Sequence, residues 1–375
     1  MGIDILIVGG GISGLTASWQ LQNAGLKVCL IEARERVGGR ILTQGDAFCD
    51  MGPSWFWPDQ PLVSSLLDKF KIPSFKQFIE GKVLWQDAQG LVQEYPMDSP
   101  MAGALRIQCG VGALTQNIAA EISAENILLG HVLKGLQIHE DGLLAEVQGP
   151  EGLLEIFSRQ IALAIPPRLA GAIAYSSALP EKTQQLLEST PTWMAGYAKF
   201  FVLYDEPFWR EQGLCGTTMS QRGPLAEIHD ASPNIGEGYS LFGFVGLDAK
   251  TRARVGEAEL LGMATEQLVS IYGEQARKYS EVFLQDWSME VFTAGPRDQE
   301  PQMHHPQYGL DPELGAGWAE RLKFISSESS FTNGGLIEGA LEAGLSYAQG
   351  IIGGEVFSAD GKRIPQTGIM DWDWL

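Results

Sequence analysis

Residues Met1 to Arg40 read MGIDILIVGGGISGLTASWQLQNAGLKVCLIEARERVGGR, and this stretch decides the fold. Ile3 to Val8 is an apolar run, short enough for a strand buried on both faces of a parallel sheet. Gly9, Gly11 and Gly14 follow in G-x-G-x-x-G spacing, with Ile12 and Ser13 between the last two. Leu15 to Ala24 is amphipathic, and a second apolar strand, Lys27 to Ile31, stops at Glu32. The glycines permit a tight turn, close approach of backbone to a pyrophosphate and close helix–strand packing. The helix N-terminus offers free N–H groups and partial positive charge to phosphates. Glu32, 18 residues after Gly14, stands where a carboxylate meets a ribose hydroxyl pair. Glycines in this spacing alone are more often just a turn. Here strand, glycines, helix, strand and acid arrive in order, which points to a dinucleotide site.

After Glu32 come Ala33, Arg34, Glu35, Arg36, Val37, Gly38, Gly39 and Arg40, an E-A-R-x-R-x-G-G-R pattern. Two glycines and an arginine beyond the ribose acid suggest a chain doubling back over the pyrophosphate, with a guanidinium neutralising it. A nicotinamide-binding domain continues into its next helix here. The plain alternative is a solvated basic turn, which leaves the glycine pair unexplained. The stretch resembles the second motif of the flavin-containing amine oxidases, and the resemblance implies FAD as cofactor.

That resemblance runs along the chain. Asp50-Met51-Gly52-Pro53 is similar to the family's D-x-G-G segment near the flavin, with Pro53 replacing a glycine and Ser54 and Trp55 following. Gly110-Val111-Gly112 through Leu114 is similar to the family's return to the flavin domain, and Val132 of His131-Val132-Leu133 stands where strand backbone contacts adenine. Ala164-Ile165-Pro166-Pro167 matches an A-I-P-P turn, and Glu206-Pro207-Phe208-Trp209-Arg210 repeats a monoamine oxidase pentapeptide. FISSESSFTNGGLIEGA, Phe324 to Ala340, is similar to the last flavin motif. It implies flavin contacts for Ser327, Glu328, Gly335, Leu336 and Ile337.

The same resemblance assigns roles. Lys199, seven positions before the pentapeptide's Glu206, matches the lysine that holds a water against the reactive flavin nitrogen. A mid-strand lysine can equally point to solvent. Trp287 matches a tryptophan packed by the flavin ring. Pro296 stands where monoamine oxidases carry the cysteine that bonds the flavin, so noncovalent FAD is expected. Arg297 and Leu336 occupy the positions of two aromatic rings that align the substrate nitrogen. Arg297 could pair a substrate carboxylate bidentately, or pair Glu290 or Asp298 structurally.

The 375 residues, 45% of them hydrophobic, suffice for two cores. Flavin motifs at both ends and in the middle imply a discontinuous, doubly wound α/β domain over 1–76, 104–188 and 289–354. The segments 77–103 and 189–288 form a mixed sheet-and-helix substrate domain, and 355–375 a polar, acidic tail. The first insertion is much shorter than in monoamine oxidases, which implies an open site or one roofed by a partner copy in a homodimer. Trp55, Phe56, Trp57, Trp85 and Tyr95 are candidates for its lining or for the domain interface. Four cysteines form no C-x-x-C pair and read as reduced structural thiols, and His304-His305 reads as a polar loop. A net charge of −20 without a basic stripe argues against nucleic acid. No membrane span and no leader are evident, so a cytoplasmic protein is expected.

The resulting expectation is FAD-dependent oxidation of the C–N bond of an amine or amino acid to an imine, with O2 as acceptor and H2O2 as product. A flavin desaturase or dehydrogenase acting on a C–C bond, and a non-catalytic FAD-binding partner protein, stay open beside it.

Overall fold

The computed structural model describes residues 2–353 apart from 97, 235–237, 301 and 303; the expected tail lies outside them. Strand β1 (Ile3–Val8) pairs in parallel with β2 (Val28–Ile31), and helix α1 (Ile12–Asn23) connects them. α1 starts three residues earlier than its amphipathic pattern suggests, because Gly14 belongs to its first turn. A Cβ at Gly14 would stand 2.0 Å from the Gly9 carbonyl oxygen, so only hydrogen lets the helix close onto the strand end.

On the other side of β1 runs the long strand Gly152–Leu163, in parallel register Val8 to Leu163, and Leu322–Phe324 pairs in parallel beyond it. Ile127–Leu128 lies beside β2. An antiparallel meander of Val132–His139, Gly142–Gly149 and Gly152–Leu163 extends this sheet to eight strands. β1 carries no polar alternation because both faces are covered. Ile5 and Ile7 pack with α1 and the helix Ile337–Gly353, whereas Leu6 and Val8 pack with the meander and Trp318. The result is the expected doubly wound α/β architecture.

A second, seven-stranded sheet has the order Glu281–Asp286, Ala198–Tyr204, Tyr239–Val245, Leu225–Asp230, Leu214–Ser220, Lys82–Gln86, Val92–Tyr95. Only the pairing of Leu214–Ser220 with Lys82–Gln86 is parallel. The strand Ala198–Tyr204 (AKFFVLY) is again covered twice. Ala198, Phe200, Val202 and Tyr204 pack on Leu260, Ala264, Leu268 and Ile271 of the helix Glu257–Tyr272. Lys199 and Phe201 leave the opposite face, where Phe201 and Phe242 meet Cys49 and Met51 at the start of the Asp50–Pro53 segment. The helix therefore forces Lys199 away from solvent and toward the other sheet.

Candidate active site

A cavity of about 770 Å³ is lined by residues from both sheets. At one end the two glycine motifs dock on each other: Gly38 N donates to Gly10 O at 2.8 Å, and Gly11 bridges Gly38. Gly9 adopts φ +109°, and a Cβ there would meet the Ala164 carbonyl oxygen at 2.7 Å. At Gly11 an added Cβ meets no protein atom within 4 Å, so this glycine faces the cavity at the N-terminus of α1. Glu32 is buried beneath it, accepting from Gly10 N at 2.7 Å and Arg34 N at 2.9 Å. The Arg34 side chain crosses to Glu290 and Thr293 at 2.9 and 2.8 Å.

Arg40 reaches 288 residues along the chain and grips Glu328 through two hydrogen bonds, 2.7 and 3.1 Å, with a third to Ser327 Oγ at 3.0 Å. Glu328 is fully buried. Burial alone would raise its carboxyl, but the Arg40 charge and hydrogen bonds outweigh that and hold it below the usual carboxylate range. Arg40 correspondingly stays charged, its guanidinium raised by Glu328 against the cost of burial.

Across the cavity Lys199 is 3% exposed. Its Nζ donates to Asp50 O at 2.5 Å, Gly52 O at 3.0 Å and Ser54 Oγ at 2.6 Å, and lies 4.0 Å over the Phe242 ring. Burial lowers its pKa to about 7. Asp50 is raised by burial, although its Oδ1 accepts from Thr43 Oγ1 at 2.6 Å and Val111 N at 2.9 Å. Trp287 Nε1 donates to Met51 O at 3.0 Å. Lys199 and Trp287 thus clamp the 50–54 segment from the second-sheet side. On that sheet Lys199 is opposite Phe244, and Phe244 is opposite Glu227. All three line the cavity.

The structure gathers most sequence-predicted residues around this one space. Gly9, Gly11, Ile12, Ser13, Glu32, Ala33, Arg34, Gly38, Gly39, Arg40, Pro53, Ser54, Trp55, Val132, Lys199, Trp287, Ser327, Gly335, Leu336 and Ile337 all line it. Gly14 serves helix–strand packing, and Glu328 sits behind Arg40. Arg297 is a correction. It lies outside the lining, its side chain is 65% exposed, and its Nη1 is 3.3 Å from Glu188 Oε2. The turn Pro296–Asp298 explains this: Asp298 points inward to Arg168 at 2.5 Å and to Gly295 N at 2.9 Å, which turns its neighbour outward. Neither carboxylate first considered for Arg297 is its partner, since Glu290 takes Arg34.

The aromatic candidates divide. Trp55 and Trp57 line the cavity; Phe56 is core, bridged to Leu105; Trp85 and Tyr95 stack on each other at 5.7 Å on the far edge of the second sheet. Cys109 is exposed, unlike the other three cysteines. Sequence reasoning missed Glu227, Phe244, Trp193, Tyr197, Val291 and Phe292, all in the lining.

These residues fit FAD. The open glycine face at Gly11, the helix N-terminus beside it and Glu32 below form a cradle for a diphosphate and ribose. Ser327, Gly335 and the start of the helix Ile337–Gly353 continue the wall toward Trp287 and Lys199. No cysteine lines the cavity, so the lining has no thiol to bond the cofactor.

Comparison with known proteins agrees. A family profile described as flavin containing amine oxidoreductase matches residues 12–100 and 91–352. The L-amino acid dehydrogenase of Synechocystis sp. is 26% identical, covering 93% of this chain and 95% of that protein. Amine oxidase [flavin-containing] B of Sus scrofa is 25% identical, covering 98% of this chain and 88% of that protein. Among solved structures, a putrescine oxidase bound to putrescine superposes with TM-score 0.77 at 20% identity, covering 94% of this chain and 100% of that one. Cyclohexylamine oxidase from Brevibacterium oxydans gives TM-score 0.78 at 19% identity, covering 93% and 98%. Within the described residues no helix is long and apolar enough to cross a membrane. With FAD as its cofactor and oxidoreduction as its chemistry, the chain belongs to the family of flavin-containing amine oxidoreductases.

Proposed function

We propose that the chain oxidises the C–N bond of an amine to an imine, which water then hydrolyses, with dioxygen as acceptor and hydrogen peroxide as product. The preferred amine carries a second cationic group, read by Glu227. In this reading 1–76, 104–188 and 289–354 serve the cofactor, and 77–103 with 189–288 serve the substrate.

The observation that carries the reading is the charge pattern of the cavity. Among the described residues its arginines are Arg34 and Arg40, which are at the glycine-motif end and already pair with Glu290 and Glu328. At the second-sheet end the acidic and basic groups of the described lining are Lys199, committed to three acceptors, and Glu227, whose side chain is 33% exposed. Among the described residues, a substrate carboxylate there meets a glutamate and no available guanidinium. An ammonium is attracted. Lys199 and Glu227 stand two strands apart on one rung of the sheet, about 10 Å at ~4.8 Å per strand. That separation suits a molecule whose far end is charged while its near end reacts.

Bound FAD supplies the two-electron acceptor. The protein's part is to orient the amine and exclude water. Trp55, Trp57, Tyr197 and Phe244 form the aromatic wall in which an amine chain lies. Lys199, with its pKa near 7, exchanges a proton at Nζ around neutrality; when neutral it donates two hydrogens and accepts one from Ser54 Oγ.

The test is anaerobic bleaching of the holoenzyme's flavin absorbance by 1,4-diaminobutane, butylamine and an amino acid, followed by peroxide detection in air. The diamine is expected to bleach fastest. Faster bleaching by the amino acid, or none by any amine, overturns the reading. Bleaching without peroxide in air reassigns the acceptor.

A further inference from the structure

Glu227 and His229 are two positions apart on one strand, so both leave the same face of the second sheet. His229 Nε2 is 2.5 Å from Glu227 Oε1. The imidazole itself is fully buried, whereas Glu227 reaches the cavity. Every side of the ring is fixed. Trp55 meets it edge-on at 5.0 Å between centroids, and Phe242 lies at 5.5 Å. Thr217 Oγ1 lies 3.5 Å from Nδ1, the outer limit of a hydrogen bond, and 3.2 Å from Ser99 Oγ. Trp55 in turn is held by Gln77 at 2.7 Å, and Gln77 by the Asp230 carbonyl at 2.8 Å.

A glutamate side chain has three free torsions and loses rotamer entropy when it is ordered by a ligand. A buried ring that cannot turn removes that cost in advance, which is the basis of preorganisation. In the tautomer with its hydrogen on Nε2, the ring donates to the Glu227 carboxylate while Nδ1 faces the Thr217 hydroxyl. We propose that His229 is a positioning residue for substrate recognition: it fixes the Glu227 carboxylate in the cavity wall so that it meets the distal cation of a diamine. This inference rests on the reading of Glu227 given above.

Steady-state kinetics of the holoenzyme with 1,4-diaminobutane and butylamine test it. Glu227→Gln should raise KM for the diamine about tenfold and abolish its advantage over butylamine, the loss of one hydrogen bond to a charged group. His229→Leu, which removes the donor at similar volume, should raise the diamine KM by a comparable factor, with kcat within about twofold and butylamine unaffected. His229→Gln should restore the diamine KM, because its amide nitrogen can donate from a similar reach. Bound-flavin absorbance checks each fold; if His229→Leu loses flavin, His229→Phe fills the aromatic pocket without a donor. A wild-type diamine KM in His229→Leu or His229→Phe, or an equal rise for both amines, overturns the positioning role. If Glu227→Gln itself leaves the diamine KM unchanged, the reading of Glu227 falls first and this inference with it.

Discussion

Arg40 and Glu328 hold each other at 2.7 and 3.1 Å, and through them the second glycine motif is joined to the segment that precedes the last helix. Breaking a buried pair from one side leaves an uncompensated charge, at a cost of about 3–5 kcal/mol. Glu328→Gln should therefore lose stability and flavin together, measured by denaturant unfolding and by absorbance of bound flavin. The pH dependence follows from the depressed carboxyl. Its contribution is complete above the ordinary value of 4.5 and is lost as pH falls through the lower folded value. The stability gap between wild type and Glu328→Gln should accordingly narrow on acidification below 4.5. A gap that is constant with pH would show that the pair carries no charge-dependent stability.

Lys199→Met keeps length and volume and removes the ammonium. It should bind FAD normally yet slow flavin reduction or reoxidation about 10²-fold. The limb near pH 7 that Lys199 contributes to kcat/KM should vanish. Stability gives an independent check. Between a folded pKa of about 7 and the ordinary 10.5, the unfolded chain holds a proton that the folded chain has released. Wild-type stability should rise with pH across that window, and Lys199→Met should lack the rise. Unchanged rates on a verified substrate reject the role.

Gly9 and Gly11 separate fold from cofactor binding. Gly9→Ala puts a methyl 2.7 Å from a carbonyl oxygen at φ +109°, and should destabilise the protein by about 1–3 kcal/mol even without flavin. Gly11→Ala meets no protein atom within 4 Å, so it should leave apoprotein unfolding unchanged while weakening FAD binding. Flavin titration of both apoproteins, alongside thermal unfolding, distinguishes the two. Equal effects of both substitutions would reject the division.

Arg297→Ala should be silent, within about 0.5 kcal/mol in stability, because the side chain is exposed and its partner Glu188 is too. Acid and amide forms of a substrate should show the same ratio of kcat/KM in this variant as in wild type. A changed ratio would return Arg297 to the site.

What the sequence revealed was local. β1, α1, β2 and Glu32 are contiguous, and their glycine spacing is set by one turn. Lys199 was legible through its offset from Glu206, but its direction was not. It follows from the helix Glu257–Tyr272 covering the opposite face, a contact that no strand pattern announces. Glu227 was illegible because its place opposite Phe244 depends on cross-strand register, with an irregularity between Leu225 and Glu227. Arg297 was misplaced because an aligned position carries no information about which way a short turn faces.

The packing of α1 on the helix Ile337–Gly353 sets a timetable for making the protein. The two helices approach so closely that a Cβ at Gly344 would fall 2.4 Å from the Ser13 carbonyl oxygen, and Ser13 Oγ donates to Ile325 O. The phosphate cradle is thus translated well before the helix that supports it. Synthesis proceeds at about 5–20 residues per second, so α1 waits on the order of tens of seconds for the helix that packs on it. A ribosome-stalled chain ending before Ile337 should bind no flavin, and one extended through Gly353 beyond the exit tunnel should; flavin binding by the shorter chain would show that the cradle forms without the last helix.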